Sequence, residues 1–195
     1  MFGPTTARIL LATLAALTLA RHGSAAAAEY TIDSARTVVW FEMHGFGSRQ
    51  QGKFDGIEGT VVLDPQANGG RIDIVIDARS LEANSEVVEK MARGPAMLNV
   101  GVHRQIAYSA ERVRFVGGEP AIIEGELTML GVTRVVPLAI TSYGCTNEAT
   151  PGAQRCSMVA TATFKRSDFG MTRYRALASD DVKLAIEAEG VALTH

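Results

Sequence analysis

Hydrophobic alternation with a period of two residues constrains this chain more than any other feature. Ile57, Gly59, Val61 and Leu63 alternate with Glu58, Thr60, Val62 and Asp64. Ile72, Ile74, Ile76 and Ala78 alternate with Arg71, Asp73, Val75 and Asp77. The same beat returns at Ile123, Gly125, Leu127 and Met129, and again at Val182, Leu184, Ile186 and Ala188. A strand sends successive side chains to opposite faces, so each run buries one face and wets the other, as antiparallel sheets do. The run Thr37 to His44 is β-branched and aromatic, and reads as too apolar for a strand with one wet face. Turn chemistry punctuates the runs at Asn68-Gly69-Gly70, Gly117-Gly118-Glu119-Pro120 and Gly131-Val132-Thr133. About eight strands at such spacings predict an all-β closed barrel or sandwich.

One segment breaks the beat. Asn84 to Arg93 opens with a capping residue and an early Glu, and places Val87, Val88 and Met91 on one helical face before Gly94-Pro95 ends it. A single helix can cover one end or flank of a barrel. No linker and no second domain is visible. The composition agrees with one globular domain: 47% hydrophobic, 21% charged and 6% aromatic. A formal charge of −2 argues against a nucleic-acid partner, which usually calls for a basic chain.

Met1 to Ala28 reads as a secretory signal peptide. Arg8 supplies a positive start, and Ile9 to Ala20 is a twelve-residue apolar run interrupted by only two Thr. A membrane span needs about 20 apolar residues, so stable membrane insertion is not expected. Ala26-Ala27-Ala28 suits a signal peptidase, which places cleavage before Glu29 and the mature domain at 29–195. Export to the periplasm changes how Cys145 and Cys156 read. They stand eleven positions apart with no Cys-x-x-Cys or His spacing for a metal. In an oxidising compartment such a pair is expected to form a structural disulfide tying the base of a hairpin, the alternative being two buried thiols.

Gly59, Ala78, Gly125, Ala139, Ala160, Ala162 and Ala188 sit on or beside apolar strand faces. Small residues there either leave a barrel incompletely filled, with room for a lipophilic ligand, or fit the taper of a packed core. Periodicity does not separate the two.

Four stretches together resemble the YceI family of periplasmic, lipocalin-like proteins. The first begins at Tyr30-Thr31-Ile32-Asp33 and runs through Met43-His44-Gly45-Phe46-Gly47-Ser48 and Gly52-Lys53-Phe54 to Gly59–Asp64. The second is Gly125 to Arg134, the third Arg166-Ser167-Asp168-Phe169-Gly170-Met171, and the fourth the closing strand Val182 to Glu189. Their order and distances agree across the chain after the signal peptide. The resemblance implies an eight-stranded antiparallel lipocalin-like barrel with one accompanying α-helix, and an elongated apolar pore holding a polyisoprenoid or similar amphiphilic lipid. It implies no catalytic residue, no metal and no cofactor other than that lipid, and it leaves a homodimer open. This chain departs from the family at Leu98, where a bulky aromatic is usual, and at Arg104, where proline is usual.

The expected ligand wall comprises Phe46, Phe54, Tyr108, Gly125, Ala160, Phe164, Phe169, Met171 and Tyr174, with the polar end of the lipid near His44 and Arg166. Both of the latter also have an architectural reading: a strand-end histidine bonded to backbone, and an arginine organising a turn. No G-x-S-x-G, His-x-x-Glu-His or phosphate-cradling motif is present. A binding module is the leading reading. A lipophilic-substrate enzyme or isomerase with His44 as base is the rival, and an interaction protein with a filled barrel is the third.

Overall fold

The computed structural model describes residues 27–150 and 152–193. The expected signal segment therefore lies outside the described residues except for its last two positions. Within them the chain forms β1 (Ala28–Ile32), β2 (Val38–Gly45), β3 (Ser48–Phe54), β4 (Ile57–Asp64), β5 (Gly69–Asp77) and β6 (Glu82–Ala83). The helix α1 (Glu86–Arg93) follows, then β7 (Gln105–Val116), β8 (Glu119–Met129), β9 (Val132–Val135), β10 (Leu138–Asn147), β11 (Ala153–Lys165) and β12 (Asp181–Leu193). Neighbouring strands pair antiparallel. The order β1-β4-β5-β7-β8-β10-β11-β12 closes on itself because β1 pairs with both β4 and β12. The fold is the eight-stranded antiparallel barrel with one accompanying helix that the alternation and the resemblance imply.

Closure is uneven along the axis. β12 pairs with β2 from Lys183 to Glu187, then passes to β1 at Gly190 and Val191. A 3-10 turn at Ser34–Arg36, its start capped by the Asp33 carboxylate accepting from the Ala35 N–H, makes the step between β1 and β2. Beyond that step β2 pairs with β3, and β3 with β6. β12 is thus covered by β1 towards one end of the barrel and by β2 towards the other.

Alternation does what the sequence implies. Ile57, Ile72, Ile76, Ile106, Ile123 and Leu127 are buried inside, and each such side chain contributes roughly 1.5–3 kcal/mol on leaving water. The β2 run corrects the expectation of a strand buried on both faces. Val39, Phe41, Met43 and Gly45 look inward, while Trp40 is 42% exposed and His44 is exposed. Its outer face borders solvent because β12 and β3 flank it edge to edge, and among the described residues no second layer lies over it.

The helix starts one residue later than Asn84: the Ser85 hydroxyl accepts from the Val88 N–H at 3.3 Å. Glu86 and Glu89 occupy the first turn and Lys90 and Arg93 the last, which suits the helix dipole. Arg93 anchors the helix to the preceding chain, donating to the carbonyls of Arg79 and Leu81 and pairing with Glu89 at 3.2 Å. Val88, Met91 and Ala92 face the barrel, whereas Val87 is 69% exposed. Two turns present only a narrow inward stripe, and Val87 falls off it.

The small residues divide differently from the expectation that they hollow the barrel. Ala139 faces solvent, and Ala78 is buried in a 3-10 turn. Tyr108 lays its ring over Gly125, and Phe41 lays its ring over Gly52. Aromatic side chains from the neighbouring strand occupy the space those glycines leave.

Cys145 and Cys156 are directly opposite across β10 and β11 and are disulfide-bonded, with Cα atoms 4.1 Å apart. The bond lies near the turn of the hairpin, two register pairs from its end at Asn147 and Gln154, and not at its base. Next to it, Arg155 reaches Asp33 at 2.7 Å, Glu148 at 2.6 Å and Glu189 at 3.2 Å, joining the β10–β11 hairpin to the β1–β2 step and to β12. The Arg155 hydrogen bond is the main reason the Asp33 carboxyl titrates below the ordinary range. Replacing both cysteines (Cys145→Ser with Cys156→Ser) is expected to cost at most about 2–3 kcal/mol, since a closed loop this short restricts the unfolded chain only modestly. Urea unfolding should show the midpoint shift with near-UV circular dichroism retained; a collapse of tertiary signal in buffer would contradict a merely supporting role.

Candidate functional site

Inside the barrel two apolar chambers lie end to end, each of about 140 Å³. Val39, Ile76, Leu127 and Leu184 border both, so they form a shared neck. The upper chamber lies on the β2–β3 side, where α1 covers it with Val88, Met91 and Ala92. Its wall includes Phe41 and Phe54, whose rings stand 5.7 Å apart. It reaches the surface beside Phe46, Arg173 and Tyr174, all exposed. Phe46 and Tyr174 meet edge to face at 5.8 Å across this mouth.

The lower chamber ends against Tyr30, Tyr143 and Cys156. The Tyr30 hydroxyl donates to Gln154 Oε1 at 3.1 Å, and the Tyr143 hydroxyl rests against both disulfide sulfurs, at 3.1 and 3.6 Å. Tyr108 borders this chamber and donates to the Val136 carbonyl at 3.0 Å. Burial pushes the Tyr108 and Tyr143 hydroxyls well above the ordinary phenol range, so both remain neutral donors.

Of the residues expected to form the ligand wall, Phe46, Phe54, Phe164, Met171 and Tyr174 border the upper chamber, as does Arg166. Tyr108 borders the lower one. Four do not border either. His44 stands on the outward face of β2, paired with Arg49 across the hairpin, because the inward parity belongs to Met43 and Gly45. Gly125 is hidden under the Tyr108 ring. Ala160 is fully buried, with Ile140 and Ile186 as its cross-strand neighbours. Phe169, 1% exposed, packs edge-on behind Phe164 at 5.3 Å.

The sequence reading placed Met171 in the wall and missed the other methionines. Met43, Met91, Met97, Met129 and Met171 border the upper chamber and Met158 the lower, so every methionine except the first residue touches the tunnel. Unbranched thioether chains adapt to irregular apolar shapes better than Leu or Ile do. Leu98, the residue that replaces the family's usual aromatic, also borders the upper chamber and leaves more room there.

Arg166 follows its architectural reading. It is 1% exposed. Its Nε donates to the Ser179 carbonyl at 2.8 Å, Nη1 to those of Met171 and Arg173, and Nη2 to that of Ala178 at 3.2 Å. Four carbonyl dipoles face the charge, and no carboxylate lies within ion-pair distance among the described residues. Burial draws its pKa down from the usual arginine value. Gly170, at φ +87°, lets the chain turn back around the guanidinium. Asp180 holds the other side, accepting from the Ser167 N–H at 3.0 Å and its hydroxyl at 2.7 Å. The motif therefore folds residues 171–180 into a collar that carries Tyr174 to the mouth.

Comparison with known proteins places this geometry. The family model described as the YceI-like domain matches residues 30–190. A UPF0312 protein of Pectobacterium atrosepticum is 32% identical over 188 residues, which span 94% of this chain and 97% of the relative. Among solved structures, Burkholderia cenocepacia BcnA superposes with a TM-score of 0.63 at 20% identity, covering 81% of this chain and 98% of that one. A polyisoprenoid binding domain from Saccharophagus degradans superposes with a TM-score of 0.59 at 15% identity, covering 84% and 98%. At these identities the two structures share its fold.

The collar supplies its own test. Arg166→Met leaves four carbonyls, the buried one of Met171 and three partly buried ones, without their donor, and each orphaned group costs about 1–3 kcal/mol where water does not replace it. The variant is expected to lose at least 3 kcal/mol of stability, roughly, by chemical denaturation. Wild-type stability in Arg166→Met would mean that the guanidinium does not hold the collar.

Proposed function

This chain belongs to the YceI-like family, and we propose that it is a periplasmic carrier holding a long-chain amphiphilic lipid, of polyisoprenoid type, along its barrel axis. The observation that carries the reading is the tunnel: two apolar chambers end to end that share four wall residues, one bordered at its far end by tyrosines and a disulfide, the other reaching the surface beside Phe46, Arg173 and Tyr174, with six adaptable methionines in their walls. Burying a hydrocarbon chain is favourable by about 0.8 kcal/mol per CH₂, before the cost of ordering it. A chain through both chambers therefore needs no ionic anchor to bind tightly. The polyisoprenoid binding domain from Saccharophagus degradans shares the fold and supports the ligand class. The signal segment and the disulfide support the compartment.

A binding role fits the chamber chemistry better than catalysis does. Below the mouth, the polar side chains bordering the upper chamber are committed to the fold: Gln50 donates to the Gly45 carbonyl and the Ser48 hydroxyl, and Arg166 to its four carbonyls. His44, the base required by the rival enzyme reading, points away from both chambers. With the Arg166 donors taken, the polar end of the lipid belongs at the mouth, beside Arg173 and Tyr174, and not deeper.

Solvent extraction of natively purified protein followed by mass spectrometry tests the reading. The parent should release a long-chain lipid. Met43→Trp and Val88→Trp, which place a large ring in the upper chamber, should lower the extracted amount by about ten-fold or more, the loss of little more than 1.4 kcal/mol of binding. Val135→Trp, on an exposed strand, should retain it. Equal lipid in folded blocked variants and parent would place any ligand outside the barrel.

A further inference from the structure

We propose that the mouth of the upper chamber is a docking surface for an anionic lipid bilayer. The proposal extends the carrier reading, but it stands on different residues. The tip of the β2–β3 hairpin and the 171–180 collar meet at the mouth and are locked together there. The Phe46 N–H donates to the Leu177 carbonyl at 2.7 Å, the Ser179 N–H to the His44 carbonyl at 2.7 Å, and Gly45 bridges Ala178. From this fixed rim three large apolar side chains project into water: Phe46 at 47% exposure, Tyr174 at 37% and Leu177 at 58%. Phe46 and Tyr174 hold the left-handed backbone, at φ +53° and +61°, where glycine or asparagine would sit with less strain. Aromatic bulk is thus presented outward at positions whose backbone favours other residues.

The charge around these tips points to the partner. Arg49, Arg173 and Arg175 are exposed on the same two segments. Among the described residues Arg173 enters no ion pair, and Arg49 and Arg175 have only loose ones, to Glu42 at 3.5 Å and Asp180 at 3.9 Å. Against them stand exposed Asp168, on the 3-10 turn that opens the collar, and the half-buried carboxylates of Glu42 and Asp180. The fully exposed charges of the rim are therefore mostly arginine, in a chain whose formal charge is −2. Apolar tips that enter the headgroup layer, ringed by arginines that meet lipid phosphates, are what an interfacial site for anionic lipid requires. Docked this way, the tunnel opens directly onto the bilayer, and a lipid tail can move between membrane and chamber without crossing water.

Flotation with vesicles tests this. Protein purified from an export host is mixed with phosphatidylglycerol-containing or pure phosphatidylcholine vesicles at physiological salt. The parent should float with the anionic vesicles and bind the zwitterionic ones about ten-fold less. Leu177→Ser combined with Arg175→Glu, which touches neither chamber lining, should lose about ten-fold in flotation while its extracted lipid matches the parent's. Phe46→Asn, compatible with the left-handed backbone, should weaken flotation as well. The chamber-blocked Met43→Trp should float like the parent, so failure of the carrier reading and failure of docking give different results. All variants share one N-terminus, so any leader contribution cancels. Equal binding to both vesicle types, or parental flotation by Leu177→Ser with Arg175→Glu, would overturn the proposal.

Discussion

β12 has to serve two partners in succession, and the shape of the interior follows from that. Its first half pairs with β2 and its second half with β1, and the 3-10 turn at Ser34–Arg36 supplies the offset between them. Where β1 takes over, the lower chamber is bordered by Tyr30, Tyr143 and the disulfide-bonded Cys156. Where β2 takes over, α1 joins the strands in walling the upper chamber, with Val88, Met91 and Ala92. The Arg155 cluster clamps the transition by holding Asp33 at the step to Glu189 on β12. Its charges are partly exposed, so its value lies more in fixing geometry than in net stabilisation.

The open end poses the opposite problem. A mouth wide enough for a chain has few side chains to pack its rim, so the rim must be held by polar contacts. Arg166 does this from inside, with four carbonyls of the collar converging on one buried guanidinium. A buried cation of this kind costs desolvation that only complete hydrogen bonding offsets. What is obtained is a loop of nearly ten residues fixed in one conformation without a hydrophobic core of its own. That rigidity is what allows Phe46 and Tyr174 to remain facing solvent and not collapse into the cavity they frame.

Much of this was legible in the sequence. Period-two alternation and its turns lead to an antiparallel barrel, the capped Asn84–Arg93 segment to its helix, and the cysteine spacing to a bond. Four family stretches in register lead to the family. The site was read less well, because strand parity and cross-strand contact are not local properties. His44 looks like a mouth residue from its place at a strand end, yet one step along a strand exchanges inside for outside. Gly125 looks like a gap until the register brings the Tyr108 ring over it. The disulfide was placed at the hairpin's base because the sequence does not show how far β10 and β11 extend beyond the cysteines. Met171 is legible as a wall residue beside its motif, but the other five internal methionines are spread over strands, helix and loop, and only the fold brings them to the two chambers.

Those methionines bear on how such a barrel tolerates an interior it does not fill. By the measured dependence of stability on cavity volume, an empty space of about 140 Å³ costs about 3 kcal/mol, and two such chambers approach the whole stability of an ordinary domain. A rigid wall of Ile and Val would bear that cost in full when vacant. Flexible thioethers in the upper chamber can lean inward when it is empty and retract when it is occupied, which lowers the difference between the two states. The lower chamber, by contrast, is walled mainly by β-branched residues and tyrosines and is braced by the disulfide. The softness lies beside the mouth and the stiffness at the disulfide end, an arrangement suited to a ligand that enters the mouth tail-first and leaves it head-first.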